Sequence, residues 1–464
     1  MRTLRATCAL IGALFLLPAV PAHAQNCTET EERGDPRPIL SGPVQTLATT
    51  DGRFLVHWTE EGEDTPSNLG DADANGRPDV IDRALEGLVR GDLEFPQAGY
   101  RAVPADALGV DGAIDVFLLD LPVNGYAFQV PAVDGTDGGS SCTIQLDGGL
   151  GSSLDGILES VAAHEFHHCT QYAHTTLAPS WLLESTATYE QYRLYSTPAL
   201  LAAVEVLWIT RLREPERALD SLGGRYEYAG FVFELFWRSL QGDDPSRLPA
   251  LWDALRASGA DWEDALEVES QRVFGQPFPQ TFLDFATWNA FACDRSDGEH
   301  YDPSAFPCEL ETAVPVQVVT DRAEFVLPDV SFASAYREVL SDGATDPVEL
   351  LCDPLGGERA RARVRLLSLD RFGRILETSD GTGRDDGPLS VRLSGPVDGD
   401  GSVLVVFAST GRAPIDVSCS ITRVDPVDPD LPDSDGSGCE CGGGSALWLL
   451  GLLALGPKRR RRRA

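Results

Sequence analysis

The first third of the chain contains three short runs of apolar, β-prone residues. They are Phe54–Trp58, Ile114–Leu121 and Cys142–Leu146. Such runs, bounded by turn residues, are typical of β-strands. Glycines at 138–139 and within 148–151 predict loops on either side of the last run.

Helical periodicity begins after these runs. Apolar Ile157 and Val161 are followed, at intervals of three and four residues, by His164 and His168. On a helix these residues share one stripe, the stripe that faces the protein interior. We therefore expect a helix over about 153–173 whose two histidines point inwards.

A mainly helical region extends to about residue 307. After a short connection at 175–178, Ser180 is expected to act as the N-cap of the next helix. The other helices predicted from apolar spacing are Val80–Leu93, Trp181–Glu190, Ala199–Arg213, Tyr226–Leu240, Leu248–Ala257, Trp262–Phe274 and Pro279–Ala292.

From Val314 the pattern changes to short β-prone runs separated by Asp, Gly and Pro. The runs are Glu324–Leu327, Val348–Leu351, Ala362–Leu366, Leu389–Leu393 and Val403–Phe407. Strands at this spacing predict an all-β sandwich domain over 312–424. The predicted fold class is therefore α+β, with strands and then helices in a domain at 25–311, the sandwich, and an acidic Pro/Gly/Ser linker at 425–438.

Both ends of the chain have features of export and sorting. Residues 1–24 carry two early arginines, an apolar run and the small-residue sequence Ala22-His23-Ala24, which predict a cleaved signal peptide. An uncleaved anchor is the alternative. Residues 439–464 contain Cys439, Cys441, an apolar run of ten residues and a cluster of arginines. Ten helical residues extend only about 15 Å, which favours a processed tail over a permanent membrane span.

The chain is strongly acidic. Its 464 residues include 72 acidic and 37 basic side chains, which gives a formal net charge of -35. Such a surface repels nucleic acid phosphates and anionic lipid. We expect no nucleic acid partner, and membrane contact only through the tail.

Export would place the cysteines in an oxidising environment. Proximity in the sequence suggests that Cys293 pairs with Cys308 and Cys352 with Cys419. A bond between Cys142 and Cys169 would join a strand to the end of the histidine helix, with Cys27 left over. Other pairings remain compatible with the sequence alone.

The stretch from Asp71 to Asp82 has the spacing of an EF-hand calcium loop. Its predicted ligands, at positions 1, 3, 5, 7, 9 and 12, are Asp71, Asp73, Asn75, the backbone carbonyl of Arg77, Asp79 and Asp82. No good helix precedes the loop, so it resembles the dockerin-like calcium loops. We expect a structural calcium ion (Ca2+) of modest affinity, because Asp82 replaces the usual Glu. The alternative is an acidic turn without a metal.

His164-Glu165-Phe166-His167-His168 is an H-E-x-x-H motif. Two imidazoles one turn apart on a helix can bind a zinc ion (Zn2+), and Glu165 beside them can act as general base. The alternative is a chance match formed by two core histidines. Four of the seven histidines lie between His164 and His174, which favours the metal site.

A catalytic zinc site needs three protein ligands and one open position for water. Glu184 is the first carboxylate downstream of the two histidines, and it lies one turn into the next predicted helix. In such a site the metal lowers the pKa of its water, Glu165 takes the proton, and the metal polarises the scissile carbonyl.

H-E-x-x-H followed by Glu184, within Trp181-Leu-Leu-Glu-Ser-Thr-Ala187, resembles the gluzincin metallopeptidases. That resemblance implies a thermolysin-like zincin catalytic domain. Over roughly 54–291, the order of motifs is similar to a family of secreted zinc metalloproteases of myxobacteria. The last 26 residues resemble the MYXO-CTERM sorting tail. The resemblance implies protein or peptide substrates, processing of the tail by sorting machinery, and lipid anchoring through a cysteine.

Two departures from the gluzincin pattern leave parts of the site open. Fifteen residues separate His168 from Glu184, fewer than in thermolysin-like enzymes, so Glu190 is a second candidate ligand. Thr188 stands where thermolysin-like enzymes carry an Asp, so the groups that orient the histidines must come from elsewhere. The group that stabilises the transition state is unassigned: Tyr228 and His174 are candidates, and the alternative for each is a structural role.

These features predict an exported zinc endopeptidase that is anchored at the cell surface or outer membrane, or released outside the cell. The first alternative is a non-catalytic surface adhesin or binding protein that retains the fold. The presence of Glu165 favours the enzyme. A zinc aminopeptidase is a third hypothesis, although no exopeptidase motif is visible.

Overall fold

The computed structural model describes residues 36–133, 139–153, 156–240, 244–259, 261–301, 316–319, 324–340, 347–355, 359–382, 388–394, 400–413 and 415–423. The predicted signal peptide, linker and tail lie outside these residues, as do Cys27 and Cys308. Every helix and strand named below lies within them. The described residues combine helices with several sheets, which confirms the α+β class.

The first sheet has five strands, β1 (Val44–Ala48), β2 (Phe54–Thr59), β3 (Ile114–Leu119), β4 (Gly125–Val130) and β5 (Ser141–Asp147). Their order is β1-β2-β3-β5-β4. The central strands β2, β3 and β5 are parallel, whereas the outer strands β1 and β4 are antiparallel to their neighbours. The three predicted strands form the buried centre, and the two that the sequence did not predict are the more exposed edges.

Two long helices, α1 (Asp79–Ala98) and α2 (Ile157–His174), pack together, and α2 lies against β4 and β5. Alternate residues of the central strands join them in one apolar core, which includes Val56, Val116 and Ile144. The predicted start of α2 near residue 153 is wrong. Gly156 has a positive φ of 85°, so the regular helix begins only after it.

Helices α1 and α2 approach closely because Gly87 has no side chain. A Cβ atom at this position would lie 2.1 Å from the carbonyl oxygen of Glu159. Next to this contact, Arg83 forms a two-pronged ion pair with the Glu159 carboxylate, at 2.8 and 3.0 Å. A disulfide between Cys142 and Cys169 then joins β5 to α2, as predicted.

Seven further helices follow: α3 (Ser180–Leu194), α4 (Pro198–Arg213), α5 (Tyr226–Ala229), α6 (Phe231–Ser239), α7 (Arg247–Ala257), α8 (Trp262–Phe274) and α9 (Phe278–Ala290). The prediction of Ser180 as an N-cap is wrong, since it is the first helical residue and Pro179 precedes the helix without a side-chain cap. The helix predicted over Tyr226–Leu240 is two helices that meet at Gly230. This glycine lies so close to α3 that a Cβ atom would be 2.9 Å from that of Ser185. Among the described residues, no helix is long and apolar enough to cross a membrane.

The C-terminal strands form two facing sheets. They are β6 (Gln317–Val319), β7 (Glu324–Val330), β8 (Ala333–Leu340), β9 (Val348–Leu355), β10 (Ala362–Leu369), β11 (Ile375–Thr382), β12 (Leu389–Arg392), β13 (Ser402–Ser409) and β14 (Ile415–Arg423). One sheet has the order β11-β10-β13-β8-β6 and the other β12-β9-β14-β7. A second apolar core lies between them, and the predicted disulfide between Cys352 and Cys419 joins β9 to β14.

The central strand β13 of the five-stranded sheet is buried on both faces. Along β13, Val403, Val405 and Phe407 belong to the core between the sheets, whereas Leu404 and Val406 belong to the core of the helical region. Helix α9 packs on β10 and β13. The Arg365 guanidinium contacts Asp284 of α9 at 2.8 Å. The described residues thus belong to one compact unit.

Glu234 is a fully buried acid between α6 and α3. Its Oε1 accepts a hydrogen bond of 2.7 Å from Ser185, and its Oε2 has no hydrogen-bond partner within the described residues. Burial raises the pKa of Glu234 to about 8, because the charged carboxylate is poorly solvated there. The folded protein therefore keeps this side chain protonated where the unfolded chain has already lost the proton.

This difference predicts a pH dependence of stability. Between about pH 4.5 and 8 the folded state holds one more proton at Glu234 than the unfolded state, so its contribution to stability falls as pH rises, by about 1.4 kcal/mol per unit at most. Glu234→Gln is neutral at every pH and should lack that loss. Urea unfolding at pH 5, 6.5 and 8 should therefore show that the free energy of unfolding of the variant, relative to that of the wild type, increases as pH increases. Glu299→Gln, at an exposed position, is the control, and parallel curves for Glu234→Gln and wild type would contradict the assignment.

Candidate metal site

Helix α2 holds His164 and His168 in the interior. Both are about 7% exposed, and their ring centroids lie 4.9 Å apart with the planes at 85°. Every residue of α2 except Tyr172 is buried, because the sheet, α1, α3 and α7 all pack around this helix. The two imidazoles thus have fixed neighbours on nearly all sides.

Glu184 reaches the same point from the second turn of α3. Its Oε2 lies 3.4 Å from His164 Nε2 and 3.6 Å from His168 Nε2. The three ligand atoms fall within 4.8 Å of one another. A tetrahedral zinc site with bonds of about 2.0–2.1 Å requires ligand atoms roughly 3.3 Å apart, so the three side chains fit such an ion. The Glu184 side chain is 26% exposed, which leaves one side of the group open to solvent.

Gln171 fixes the orientation of His168. Its amide nitrogen donates to the Leu183 carbonyl at 2.8 Å, and a carbonyl can only accept, so the amide oxygen must face His168. His168 Nδ1 lies 2.8 Å from that oxygen and therefore carries the proton. The other ring nitrogen, Nε2, faces Glu184 and is the one that can bind either a second proton or a metal ion.

Gln191 fixes the orientation of His164 in the same way. Ser160 donates its hydroxyl hydrogen to the Ile157 carbonyl, so its oxygen accepts from the amide nitrogen of Gln191 at 3.1 Å. The amide oxygen then faces His164 Nδ1 at 3.2 Å. Both histidines are thereby held with acceptor nitrogens towards the acceptor oxygen of Glu184. With both imidazoles neutral, three acceptors converge here, and a proton or a metal ion between them relieves their mutual repulsion.

The electrostatics of the group agree with this geometry. Burial alone would lower the pKa of His168, but the Glu184 carboxylate opposes it and raises that pKa to about 9. The pKa of Glu184 is lowered despite its burial, because both imidazoles favour its charged form. A positive charge is therefore favoured at this point, either as a proton or as a metal ion.

Glu165 lies beside the group and faces strand β4. A Cβ atom on Gly125 would lie 2.8 Å from Glu165 Cγ and 2.9 Å from its Oε1, so only glycine leaves room for this carboxylate. Burial raises the pKa of Glu165, and Glu184 contributes in the same direction, while the two imidazoles oppose it. A carboxylate with a raised pKa is suited to accept a proton near neutral pH.

Of the two candidates for stabilising a transition state, only Tyr228 lies at the site. Its ring centroid is 6.1 Å from that of His164. Its pKa is raised well above the usual value, first because of Glu184 and then because of burial and Glu165, so the phenol keeps its proton as a donor. His174 instead accepts from the backbone nitrogen of Arg101 at 3.1 Å and contacts Asp253 of α7, and it has a structural role.

The prediction of Glu190 as the alternative metal ligand is wrong. It accepts hydrogen bonds from Tyr100 at 3.1 Å and from Arg193 at 2.5 Å. Six residues after Glu184, it points roughly 120° away around α3. Gln191, seven residues after Glu184, returns to the same face, and Gln171 lies one turn beyond His168. Helical spacing could have identified both glutamines, whereas nothing local connects Gly125 with Glu165.

The acidic loop forms a second cluster of carboxylates. The ligand atoms of Asp71, Asp73 and Asp79 lie within 4.8 Å of one another. Backbone nitrogens of the loop donate to Asp71, including that of Gly76 at 2.8 Å, and lower its pKa. Asp82 instead pairs with the Arg77 side chain and accepts from the amide of Asn75 at 2.8 Å.

Comparison of the chain with protein-family models, curated proteins and solved structures found no match.

The glutamine contacts predict an effect on metal affinity. Gln191→Met keeps the size of the side chain but removes the acceptor for His164 Nδ1, so the ring loses its fixed tautomer. We expect zinc affinity to fall roughly 10- to 100-fold, as measured by competition with a chromophoric chelator. Gln271→Met, on the surface of α8, is the matched control. Wild-type affinity in Gln191→Met, with unchanged thermal stability, would contradict the orienting role.

Proposed function

We propose that the chain is an exported zinc-dependent endopeptidase of the gluzincin type, with a thermolysin-like catalytic domain. The observation that carries the proposal is the convergence of His164 Nε2, His168 Nε2 and Glu184 Oε2, with both histidine tautomers held by amides. Glu165 adds a carboxylate with a raised pKa beside that group. Three ligands, an open side and a neighbouring base are the parts that metal-assisted hydrolysis requires.

The chain's own residues divide the reaction between them. When bound by His164, His168 and Glu184, a zinc ion supplies a Lewis acid that activates water and polarises a carbonyl group. Glu165 takes the proton from the attacking water and later returns it to the leaving amine. Tyr228 donates a hydrogen bond to the oxygen on which negative charge develops. No covalent bond forms between the substrate and the protein.

The position of the edge strand β4 favours a peptide as the substrate. It ends the described sheet beside Glu165, and an extended peptide can add to such an edge through its backbone. A backbone-paired substrate would need to be unfolded or flexible at the site of cleavage.

The proposal extends to the location of the protein. The apolar leader at 1–24 and the cysteine, apolar and arginine segments at 439–464 support export, processing of the tail and attachment at the cell surface or outer membrane. The partners are then a protein or peptide substrate and the sorting machinery.

Zinc content and proteolysis test the function together. We expect one zinc per chain by metal mass spectrometry, and chelator-sensitive cleavage of casein. His168→Ala should lose both, because it removes a ligand. Glu165→Gln should keep the zinc and lose cleavage by roughly 10²–10⁴-fold, because it removes only the base. His300→Ala, outside the site, is the control.

The outcomes separate the hypotheses. Zinc in the wild type without cleavage of casein or of unfolded peptides would favour the non-catalytic surface protein. Wild-type protein without zinc would contradict the metal site itself.

We also propose that the loop at 71–82 binds a structural calcium ion. Asp71, Asp73 and Asp79 converge there, directly before α1. Because α1 packs on α2, an ion that orders this loop would stabilise the helix pair that carries the histidines.

Calcium should therefore raise the stability of the protein. At free calcium 100-fold above Kd, binding to the folded state alone adds about 2.7 kcal/mol, visible as a higher unfolding temperature in calcium than in EGTA. Asp71→Asn combined with Asp73→Asn should abolish the difference. Asp370→Asn, in an exposed turn of the sandwich, should leave it intact. An equal calcium effect in the loop variant would exclude this loop as the site.

A further inference from the structure

Strand β4 is the last strand of the described sheet, and alternate backbone groups of β4 face its outer edge. The backbone nitrogen of Asp147 donates to Asn124 at 2.9 Å, which fixes the phase of the β4–β5 ladder. In an antiparallel ladder, bonded pairs alternate with unbonded ones. Gly125, Ala127 and Gln129 therefore direct their N–H and C=O groups away from β5, at the outer edge of the described sheet.

Tyr172 contacts one of these outward-facing backbone groups. Its hydroxyl donates a hydrogen bond of 3.1 Å to the carbonyl oxygen of Ala127. The ring lies one turn beyond His168 on α2, nearly parallel to that imidazole with the centroids 6.4 Å apart. A peptide adding to β4 would need to place an N–H group where this hydroxyl lies, since sheet pairing requires that same oxygen.

Further contacts tie this end of β4 to the last turn of α2. The side-chain amide of Gln129 donates to the Thr176 carbonyl at 3.3 Å. The backbone nitrogen of Ser140, just before β5, donates to the Tyr172 carbonyl at 2.9 Å. Gly125, by contrast, lies against Glu165. From Ala127 onwards the strand edge is thus occupied by contacts with α2 and with the residue Thr176 after it, and this part is the covered half of β4.

We propose that Tyr172 is a specificity-determining residue that ends the pairing of substrate with β4 at Ala127. The inference rests on the proposed peptidase function. In antiparallel addition, which is the commoner pairing, a substrate runs from the Val130 end of β4 towards Gly125. The covered half then faces the residues that precede the scissile bond.

The geometry sets the number of residues that can pair. Gly125 and Ala127 are two residues apart, about 6.6 Å along the strand. A substrate therefore has room for about two paired residues before the scissile bond. Longer chains must leave the strand edge, so they gain nothing from further backbone hydrogen bonds. On the other side of the bond, nothing described at the start of β4 imposes this limit.

The test uses two series of synthetic, unstructured peptides around one cleavage site found by mass spectrometry. In one series, one to six residues precede the scissile bond, and in the other one to six follow it. For the wild type, kcat/KM should stop rising after about two preceding residues. For Tyr172→Ala, kcat/KM should continue to rise with peptide length, roughly three- to tenfold for each added backbone pair. Tyr172→Phe, which frees only the Ala127 carbonyl, should gain less.

Ratios of kcat/KM between long and short peptides cancel differences in the amount of active protein, so a merely structural effect of the substitution does not move them. Binding of the same peptides to Glu165→Gln, measured without turnover, should show the same length limit. Zinc content is measured for each variant.

Three results would overturn the proposal. One is a wild-type kcat/KM that keeps rising to six preceding residues, and another is the wild-type limit retained in both Tyr172 variants. A limit on the residues that follow the bond would assign the covered half to the opposite side. In all three, cleavage itself would leave the peptidase function standing. A wild type that neither cleaves nor binds any of the peptides would overturn both.

Discussion

The candidate site depends on the burial of α2. This helix lies between the first sheet and helices α1, α3 and α7, with Tyr172 as its only residue that is not buried. A buried imidazole nitrogen without a partner costs free energy, so partners for the ring nitrogens stabilise a buried histidine. For His164 and His168, the Nδ1 atoms meet glutamine amides and the Nε2 atoms meet Glu184. Burial thereby turns two histidines of the core into a preorganised pair of ligands.

The orienting groups are neutral amides. Gln171 and Gln191 fix the tautomers without adding charge, so Glu184 and Glu165 are the carboxylates that the described structure places at the group. A site with fewer negative charges leaves a bound cation more electrophilic, at some cost in affinity. Thr188, four residues after Glu184, is buried in α3 and adds no charge.

The sandwich is joined to the helical region through a shared core. Every residue of β13 is buried, because its two faces belong to different apolar cores. Burial on both faces explains why the run Val403–Phe407 is continuously apolar and does not alternate. Arg365, held by Asp284 and Asp380, adds a polar contact to the same interface. Helix α9 is thus fixed between the sandwich and the helices that support α3.

The sequence by itself determined the features that depend on local spacing or on closeness along the chain. The i, i+4 spacing of His164 and His168, the central strands and most helices follow from such patterns. Two disulfides that the sequence suggested among other pairings are also present. Glu184 also belongs here, as the first carboxylate after the histidines. Contacts between distant segments required the tertiary structure. The packing of α2 against β4 and α3 decides three such contacts. They are those of Gly125 with Glu165, of Gln191 with His164 and of Tyr172 with Ala127. Periodicity shows which face of an element is buried, but only packing decides which residue of another element that face meets.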